Sequence, residues 1–216
     1  QSLVVEGAGG VSFLTPARIP SKHRLRLDRI CKPGGYFGVE IINGRHWPAP
    51  MRGQFVLNDY KSNSVRRFAL TPDGSGYRLD WKEPVLKSSH RKFRPVDIRI
   101  GPDGAIYIAD FYNTIICHQA DYFRAPARDL HHGRIWRVSY KINPLAPKPT
   151  FAKDSTGQSL DMLKAPERWT RQQAKFELSK RHGSLVRDMA DRWIRRMDAD
   201  EPNYSRNLLE ALALCA

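Results

Sequence analysis

The feature that most constrains the fold is a strand pattern that occurs twice, 51 positions apart. The first copy, Gly53–Tyr60, reads GQFVLNDY, and the second, Gly104–Phe111, reads GAIYIADF. In each copy a glycine precedes an alternating apolar strand and an aspartate closes it, Asp59 in the first and Asp110 in the second. Period-two alternation predicts a half-buried β-strand. The recurrence predicts a repeated β-sheet unit.

Each copy belongs to a larger unit with the order strand, turn, strand, loop and strand. Residues 38–42 and 95–99 precede the two copies as predicted strands, and residues 64–68 and 134–138 follow them. Tyr77–Val85 predicts a fourth strand in the first unit. A four-stranded unit that recurs about every 50 residues is typical of β-propeller blades. We therefore predict about two to three blades, with a β-sandwich of similar hairpins as the alternative.

The predicted propeller part covers residues 1–142. Two or three blades cannot close a ring, because the stacked blades must return to the first one around a central axis. We therefore expect the missing blades to come from the rest of a longer chain or from a partner subunit.

The predicted structure changes from β to α after residue 142. Residues 143–157 predict a linker, because they contain three prolines and proline donates no backbone N–H. Residues 158–216 predict short helices, as in a HEAT-like repeat. These helices are expected at 159–164, between Pro166 and Gly183, along the apolar stripe Leu185–Met197, and from Pro202. The expected fold class is mainly β then α, with incomplete β-propeller blades before a HEAT-like helical region.

The charge and the cysteine content limit which partners and which metal or haem sites the chain is expected to have. The formal net charge is +14, and the densest basic run is Lys87–Arg94. Such a balance permits an anionic polysaccharide, an acidic protein or nucleic acid as partner, and nucleic acid ranks last because the excess is spread along the chain. No run approaches the roughly 18 apolar residues of a membrane span. The three cysteines lack CxxC spacing, which argues against a zinc site or an attached haem.

The long loop of the second unit is the place where we expect chemistry. It spans Phe111–His132, whereas the first unit uses a short turn, and loops of this length in compact domains are often functional. We name Asp110 and His118 as candidate catalytic residues. Tyr112, Asn113 and His132 are candidate ligand-binding residues.

Asp110 has a second interpretation. Asp59 occupies the same place in the first unit, so both carboxylates are also expected to cap the following turn by accepting backbone N–H bonds. The choice between catalysis and capping stays open at this stage.

Three further candidates lie outside the loop. Asp97 stands in the first strand of the second unit, and Arg45 with His46 forms a basic tip beside Trp47. Such a tip can bind a sugar or an anion, or it can pack on a neighbouring blade.

The histidines do not predict a metal site. HxxxH and HExxH spacings are absent. His131 and His132 are adjacent, and on a strand they are expected to point in opposite directions.

Several motifs resemble a known family. Phe93-Arg-Pro-Val-Asp97, Gly101-Pro-Asp-Gly-Ala105, Ile108-Ala-Asp-Phe-Tyr-Asn113 and His132-Gly-Arg-Ile-Trp-Arg-Val138 look like the closing blade of large bacterial exported proteins, the membrane-bound dehydrogenases with a PVC-type haem-binding CxxCH segment. Gly44–Pro48 and Leu70–Gly76 fit the preceding blade, and Leu160–Gly183 is similar to the HEAT-like repeat that follows. The resemblance covers roughly residues 20–185.

The resemblance implies a propeller related to quinoprotein sugar dehydrogenases, with a quinone cofactor, a sugar-type substrate and a periplasmic or extracellular location. This chain has no CxxCH motif, so the resemblance does not bring a haem of its own. The first functional hypothesis is therefore oxidation of a sugar. The alternative is a non-enzymatic scaffold that binds a protein or an anionic polysaccharide.

Overall fold

A computed structural model describes residues 36–115, 125–151 and 155–214 of the chain. Within these residues, two small antiparallel sheets come first and four α-helices follow. The prediction of a mainly β region followed by an α region is thus confirmed. Propeller closure and HEAT-like repetition remain predictions. No helix in the described part of the chain is long and apolar enough to cross a membrane.

The first sheet is an antiparallel meander of four strands in the order β1-β2-β3-β4. Its strands are β1 (Tyr36–Ile41), β2 (Phe55–Asp59), β3 (Ser64–Asp73) and β4 (Gly76–Lys87). The fourth strand predicted at Tyr77–Val85 is confirmed and is somewhat longer. A tight turn joins β3 to β4, where Asp73 pairs with Gly76.

The second sheet has three strands in the order β5-β6-β7, namely β5 (Pro95–Ile100), β6 (Ile106–Asp110) and β7 (Arg134–Val138). The boundaries predicted for β7 agree with the structure. The turn between β5 and β6 depends on Gly104, which has a left-handed φ of 79°. A Cβ at Gly104 would lie 2.9 Å from the Cβ of His46, so this position excludes any larger residue.

The helices are α1 (Thr156–Asp161), α2 (Arg168–Ser179), α3 (Gly183–Arg195) and α4 (Tyr204–Leu212), and a 3-10 turn, Met162–Lys164, follows α1. The prediction that Gly183 ends the second helix is wrong. Lys180 is the C-cap of α2, and His182, in extended conformation, is the N-cap of α3. Gly183 therefore begins the third helix. The position that follows the C-cap is occupied by Arg181 and not by a glycine.

The chain divides into two compact units. The first contains the described residues up to 42 together with 51–99 and 106–138, and the second contains 43–50, 100–105 and 139–214. Strand side chains form the buried part of the first unit, for example Val56, Val65 and Ile108. In the second unit the helices share a core of buried apolar residues: Leu160, Leu163, Ala174, Leu178, Val186 and Ala190.

Candidate functional site

Asp110, the last residue of β6, is almost fully buried, and both oxygens of its carboxylate accept hydrogen bonds. Oδ1 accepts the backbone N–H of Arg94 at 2.7 Å and that of Tyr112 at 2.9 Å. Oδ2 accepts the indole N–H of Trp136 at 2.9 Å. A buried carboxylate requires such partners, since leaving it unpaired is costly. The capping interpretation of Asp110 is therefore confirmed.

Asp59 has the same task at the end of β2. Its Oδ1 accepts the backbone N–H groups of Lys61 and Ser62, both at 3.2 Å. Its Oδ2 lies 2.7 Å from Nε of Arg66. The sequence repeat thus reflects a repeated hydrogen-bonding device that closes each strand.

The side chain of Tyr112 organises the surface that follows Asp110. Tyr112 has a left-handed φ of 51°, a conformation that bulky residues rarely adopt. The ring of His90 stacks on it with centroids 5.7 Å apart, and the guanidinium carbon of Arg134 lies 3.7 Å from its centroid. The residues grouped around this ring, here called the Tyr112 cluster, are His90, Lys92, Tyr112, Asp129, His132 and Arg134.

Asp129 holds the far side of the cluster together. Its Oδ1 accepts the backbone N–H groups of His131 and His132 and lies 2.8 Å from the ring Nδ1 of His132. Its Oδ2 pairs with Nζ of Lys92 at 3.1 Å. These bonds, the one from the His132 ring first, hold the pKa of Asp129 well below its usual range. The carboxylate is therefore ionised and fixes both loop and ring.

Two side chains of the cluster remain available for a ligand. Because the ionised Asp129 only accepts, Nδ1 of His132 donates to it, and Nε2 is the second polar atom of a ring whose side chain is 69% exposed. Arg134 contacts the rings of Tyr112 and Trp136. Within the described ranges, no carboxylate forms an ion pair with Arg134.

Two other predicted residues serve mainly structure or surface charge. Asn113 is buried, donates from Nδ2 to the carbonyl of Asp129 at 2.9 Å, and accepts the N–H of Ile115. It therefore connects the two ends of the loop beneath the cluster. Asp97 is half-exposed and pairs with Arg99 at 3.3 Å.

Arg45 and His46 belong to the second unit. His46 is 1% exposed, its Nδ1 donates to the carbonyl of Pro144 at 3.0 Å, and its Nε2 accepts the N–H of Tyr140 at 2.8 Å. Both ring nitrogens are thus engaged with backbone groups. Arg45 pairs with Glu167 at 3.1 Å. His46 is therefore buried by packing and is not open to a ligand, while packing on a neighbouring blade stays a prediction.

The remaining histidines differ in outcome. His118 lies outside the described residues, so the prediction of a catalytic role for it stands as made. His131 and His132 lie in the loop, within the bounds predicted for it, and not on a strand, since β7 begins only at Arg134. The reason is Asp129, whose carboxylate accepts their two backbone N–H groups and bends this part of the loop.

Sequence reasoning missed four members of the cluster: His90, Lys92, Asp129 and Arg134. His90 and Lys92 stood inside the basic run 87–94, which was interpreted as charge for an anionic partner and not as part of a site. Asp129 precedes His132 by three positions, a spacing that suits an aspartate turn. The pairing of Lys92 with Asp129, 37 positions later, has no local signal.

The described residues favour neither a metal nor a quinone. No group of three or more potential ligands that could hold a metal ion occurs among them. A quinone that carries carboxylates would need unpaired cations and an open aromatic face. Lys92 is paired with Asp129, and the Tyr112 ring already contacts His90 and Arg134. Of the two permanent cations of the cluster only Arg134 is left for a carboxylate, which is too few for a group that carries several, and no reaction step is derived through a quinone.

Comparison with known proteins gives one match. Residues 16–142, more than half of the chain, match the model of a family described as a domain of unknown function, DUF7133. No curated protein and no solved structure matches the chain. The matched stretch contains both sheets and every residue of the Tyr112 cluster, and it ends before the first helix.

Proposed function

Since this chain belongs to the DUF7133 family, whose description assigns no activity, we propose from its own side chains that it binds an acidic polysaccharide at the Tyr112 cluster. The observation that carries the proposal is Arg134. Its guanidinium is held 3.7 Å from the Tyr112 centroid without an acidic partner among the described residues. A guanidinium fixed in this way keeps its N–H fork available for a carboxylate or sulfate group.

The surroundings of Arg134 suit a sugar ring as well as its charge. Trp136 is partly exposed next to the guanidinium, and Phe111 is exposed at the start of the same loop. Exposed aromatic rings offer apolar faces to the C–H groups of a sugar, and the imidazole of His132 offers a hydrogen-bonding edge. Cation, aromatic faces and hydrogen-bonding edge together favour an acidic polysaccharide over a simple anion.

An acidic polysaccharide also agrees with the charge of the molecule. The net charge of +14 raises the local concentration of any polyanion, whereas the Tyr112 cluster supplies the specific contacts. A periplasmic or extracellular location, where such polymers are found, is part of this proposal.

Sugar oxidation is a second candidate, and one observation favours it. Asp129 orients His132 through a 2.8 Å contact and leaves Nε2 as an acceptor, which is the arrangement of a general base that takes a hydroxyl proton. Among the described residues, this proton acceptor is the only group that we assign to the reaction. Dye reduction with an added quinone over a sugar panel tests the idea. Absence of turnover would refute it, and turnover that His132→Ala does not lower would refute the role of His132 as the base.

The binding proposal is tested by titrating the chain calorimetrically with polygalacturonate, dextran sulfate and neutral dextran. We expect binding to one or both acidic polymers and none to neutral dextran. Arg134→Ala should weaken binding about tenfold, because one charge-assisted bidentate contact is lost. Arg78→Ala is the matched control, since Arg78 is also an exposed arginine of the first unit but lies on the β3–β4 hairpin.

The outcomes separate specific from general attraction. If Arg78→Ala weakens binding as much as Arg134→Ala, the attraction is only general and the cluster is not the site. If DNA of equal charge binds as tightly as the polysaccharides, with the same salt dependence, the preference for carbohydrate is refuted.

A further inference from the structure

Arg94 ends the densest basic run of the sequence, but its guanidinium forms hydrogen bonds within the first unit. Nε donates to the carbonyl of Asn113 at 3.0 Å, and Nη2 donates to the carbonyl of Thr114 at 3.3 Å. Nη1 donates to the carbonyl of Tyr60 at 2.7 Å and to Oδ1 of Asn63 at 3.2 Å. One side chain therefore joins the start of the long loop in the second sheet to the short turn between β2 and β3 in the first.

The main chain of Arg94 holds the residues that come before Tyr112. Its N–H donates to Oδ1 of Asp110 at 2.7 Å, and its carbonyl accepts the N–H of Phe111 at 2.9 Å. Arg94 thus bonds to the two residues before Tyr112 and, through its guanidinium, to the two residues after it. A left-handed conformation of a bulky residue such as Tyr112 persists only when its surroundings hold it in place. Arg94 supplies these surroundings.

Asn63, in the short turn of the first sheet, holds the opposite side of the cluster. Its Nδ2 donates to the carbonyl of Phe93 at 2.6 Å and to that of His90 at 3.2 Å, and its own carbonyl accepts the N–H of Ser88 at 2.9 Å. Asn63 has a left-handed φ of 52°, which asparagine tolerates better than most residues. The short turn therefore fixes the backbone that carries two members of the cluster, His90 and Lys92.

We propose that Asn63 and Arg94 are the positioning residues of the Tyr112 cluster, so that the polysaccharide site includes the short turn of the first sheet. Neither side chain is assigned a contact with the ligand. Both act through the Tyr112 ring, because the guanidinium of Arg134 lies 3.7 Å from its centroid. A displaced ring would take Arg134 out of the geometry that a bidentate contact needs.

This assignment rests on the proposed function of the cluster, but its central contact is measured without ligand. The Nε–H proton of Arg134 lies in the ring current of Tyr112, so its NMR signal is shifted upfield. Its absence from the spectrum of Arg134→Lys assigns the signal. Arg94→Lys keeps the charge but loses the planar fork, and Asn63→Gly keeps the left-handed backbone but loses the amide. Each variant should lose about half of the shift or more.

Arg99→Lys is the matched control, because Arg99 is an exposed arginine of β5 that pairs with Asp97. It should leave the signal at its wild-type position, and circular dichroism should show that the variants are folded. If Arg94→Lys does not fold, Asn63→Gly alone decides. A signal that keeps its wild-type position in the folded variants would overturn the proposal, whether or not the chain binds a polysaccharide.

The second measurement is the calorimetric titration with polygalacturonate and dextran sulfate. Arg94→Lys should weaken binding by up to about tenfold, as Arg134→Ala does, and the double variant should bind no more weakly than Arg134→Ala alone. Independent effects would multiply to about a hundredfold, and that result would overturn the positioning role. If the wild type binds neither polymer, the proposed function fails, and the NMR signal still decides whether Asn63 and Arg94 position the cluster.

Discussion

The ends of β2 and β6 use the same carboxylate with different partners. Arg66 stands opposite Leu57, and Trp136 stands opposite Ile108, which is the equivalent register position in the second sheet. Asp59 pairs with the guanidinium of Arg66, whereas Asp110 accepts the indole N–H of Trp136. One strand end is therefore closed by an ion pair and the other by a neutral donor.

The difference changes what the neighbouring position can do. Ser64 stands opposite Asp59, and Arg134 stands opposite Asp110. In the second sheet the carboxylate accepts the indole N–H of Trp136, and Arg134 contacts the ring of Tyr112. The arginine of the second sheet, Arg134, thus lies two register positions away from the place that Arg66 takes in the first sheet. At that position it is available to a ligand.

The largest effect is expected from removing the two carboxylates. Asp59→Ala should lower the free energy of unfolding by about 3 kcal/mol, because it leaves the largely buried guanidinium of Arg66 unpaired. Asp110→Ala should cost about 2 kcal/mol, because its lost donors are neutral. Urea unfolding of both variants measures the difference. A larger loss for Asp110→Ala would contradict the distinction between charged and neutral closure.

A smaller effect is expected at the neutral donor itself. Trp136→Phe removes one hydrogen bond to Asp110 and should cost about 1 kcal/mol in urea unfolding. Trp81→Phe, at a similarly exposed tryptophan of the first sheet, is the control and should cost less. If the two variants are equally stable, the indole does not support the carboxylate.

The pH dependence of stability should differ between the long loop of the second unit and the short turn of the first. The pKa of Asp129 is held below its usual range in the folded protein, so its stabilising effect is complete above the unfolded pKa of about 3.9 and decreases as the pH falls through the folded value. The stability difference between the wild type and Asp129→Asn should therefore be constant near neutrality and shrink below about pH 4.

Urea midpoints at a series of pH values measure this difference. Asp73→Asn, on the exposed hairpin turn of the first sheet, removes a carboxylate of the same type and is measured in parallel as the control. A difference for Asp129→Asn that stays constant down to about pH 2 would refute the role of its ionised form.

The smallest effect on stability is expected at Tyr112. Asparagine adopts the left-handed region more readily, which favours Tyr112→Asn, but the contacts of the ring with Lys92 and Arg134 are lost. The gain from the relaxed backbone and the loss of the ring contacts are similar in size, so the free energy of unfolding should change by less than about 1 kcal/mol. Binding of acidic polysaccharide should nevertheless weaken by up to about tenfold, as for Arg134→Ala, since Arg134 is no longer positioned. An unchanged affinity would show that the ring is dispensable.

The scaffold was more predictable than the site. Period-two alternation and the aspartate at each strand end are local signals, and they gave β7 and the capping role of Asp59 and Asp110. The partner of Asp110 was not predictable, because Trp136 reaches it across the sheet after a long loop. The same reason applies to Lys92 and Asp129. Gly183 was misassigned because glycine is most common just past the end of a helix, whereas here it begins α3.

The hydrogen bonds of His46 also determine how long after its synthesis the segment around it can complete its folding. The two backbone groups that hold its ring come 94 and 98 residues later in the chain. At usual translation rates the first of them is made roughly 5 to 20 seconds after His46. Throughout that interval the segment around Trp47 cannot form all of its native contacts. Nascent chains stalled before Tyr140 should therefore be cut there by protease, and chains stalled well after Pro144 should be protected.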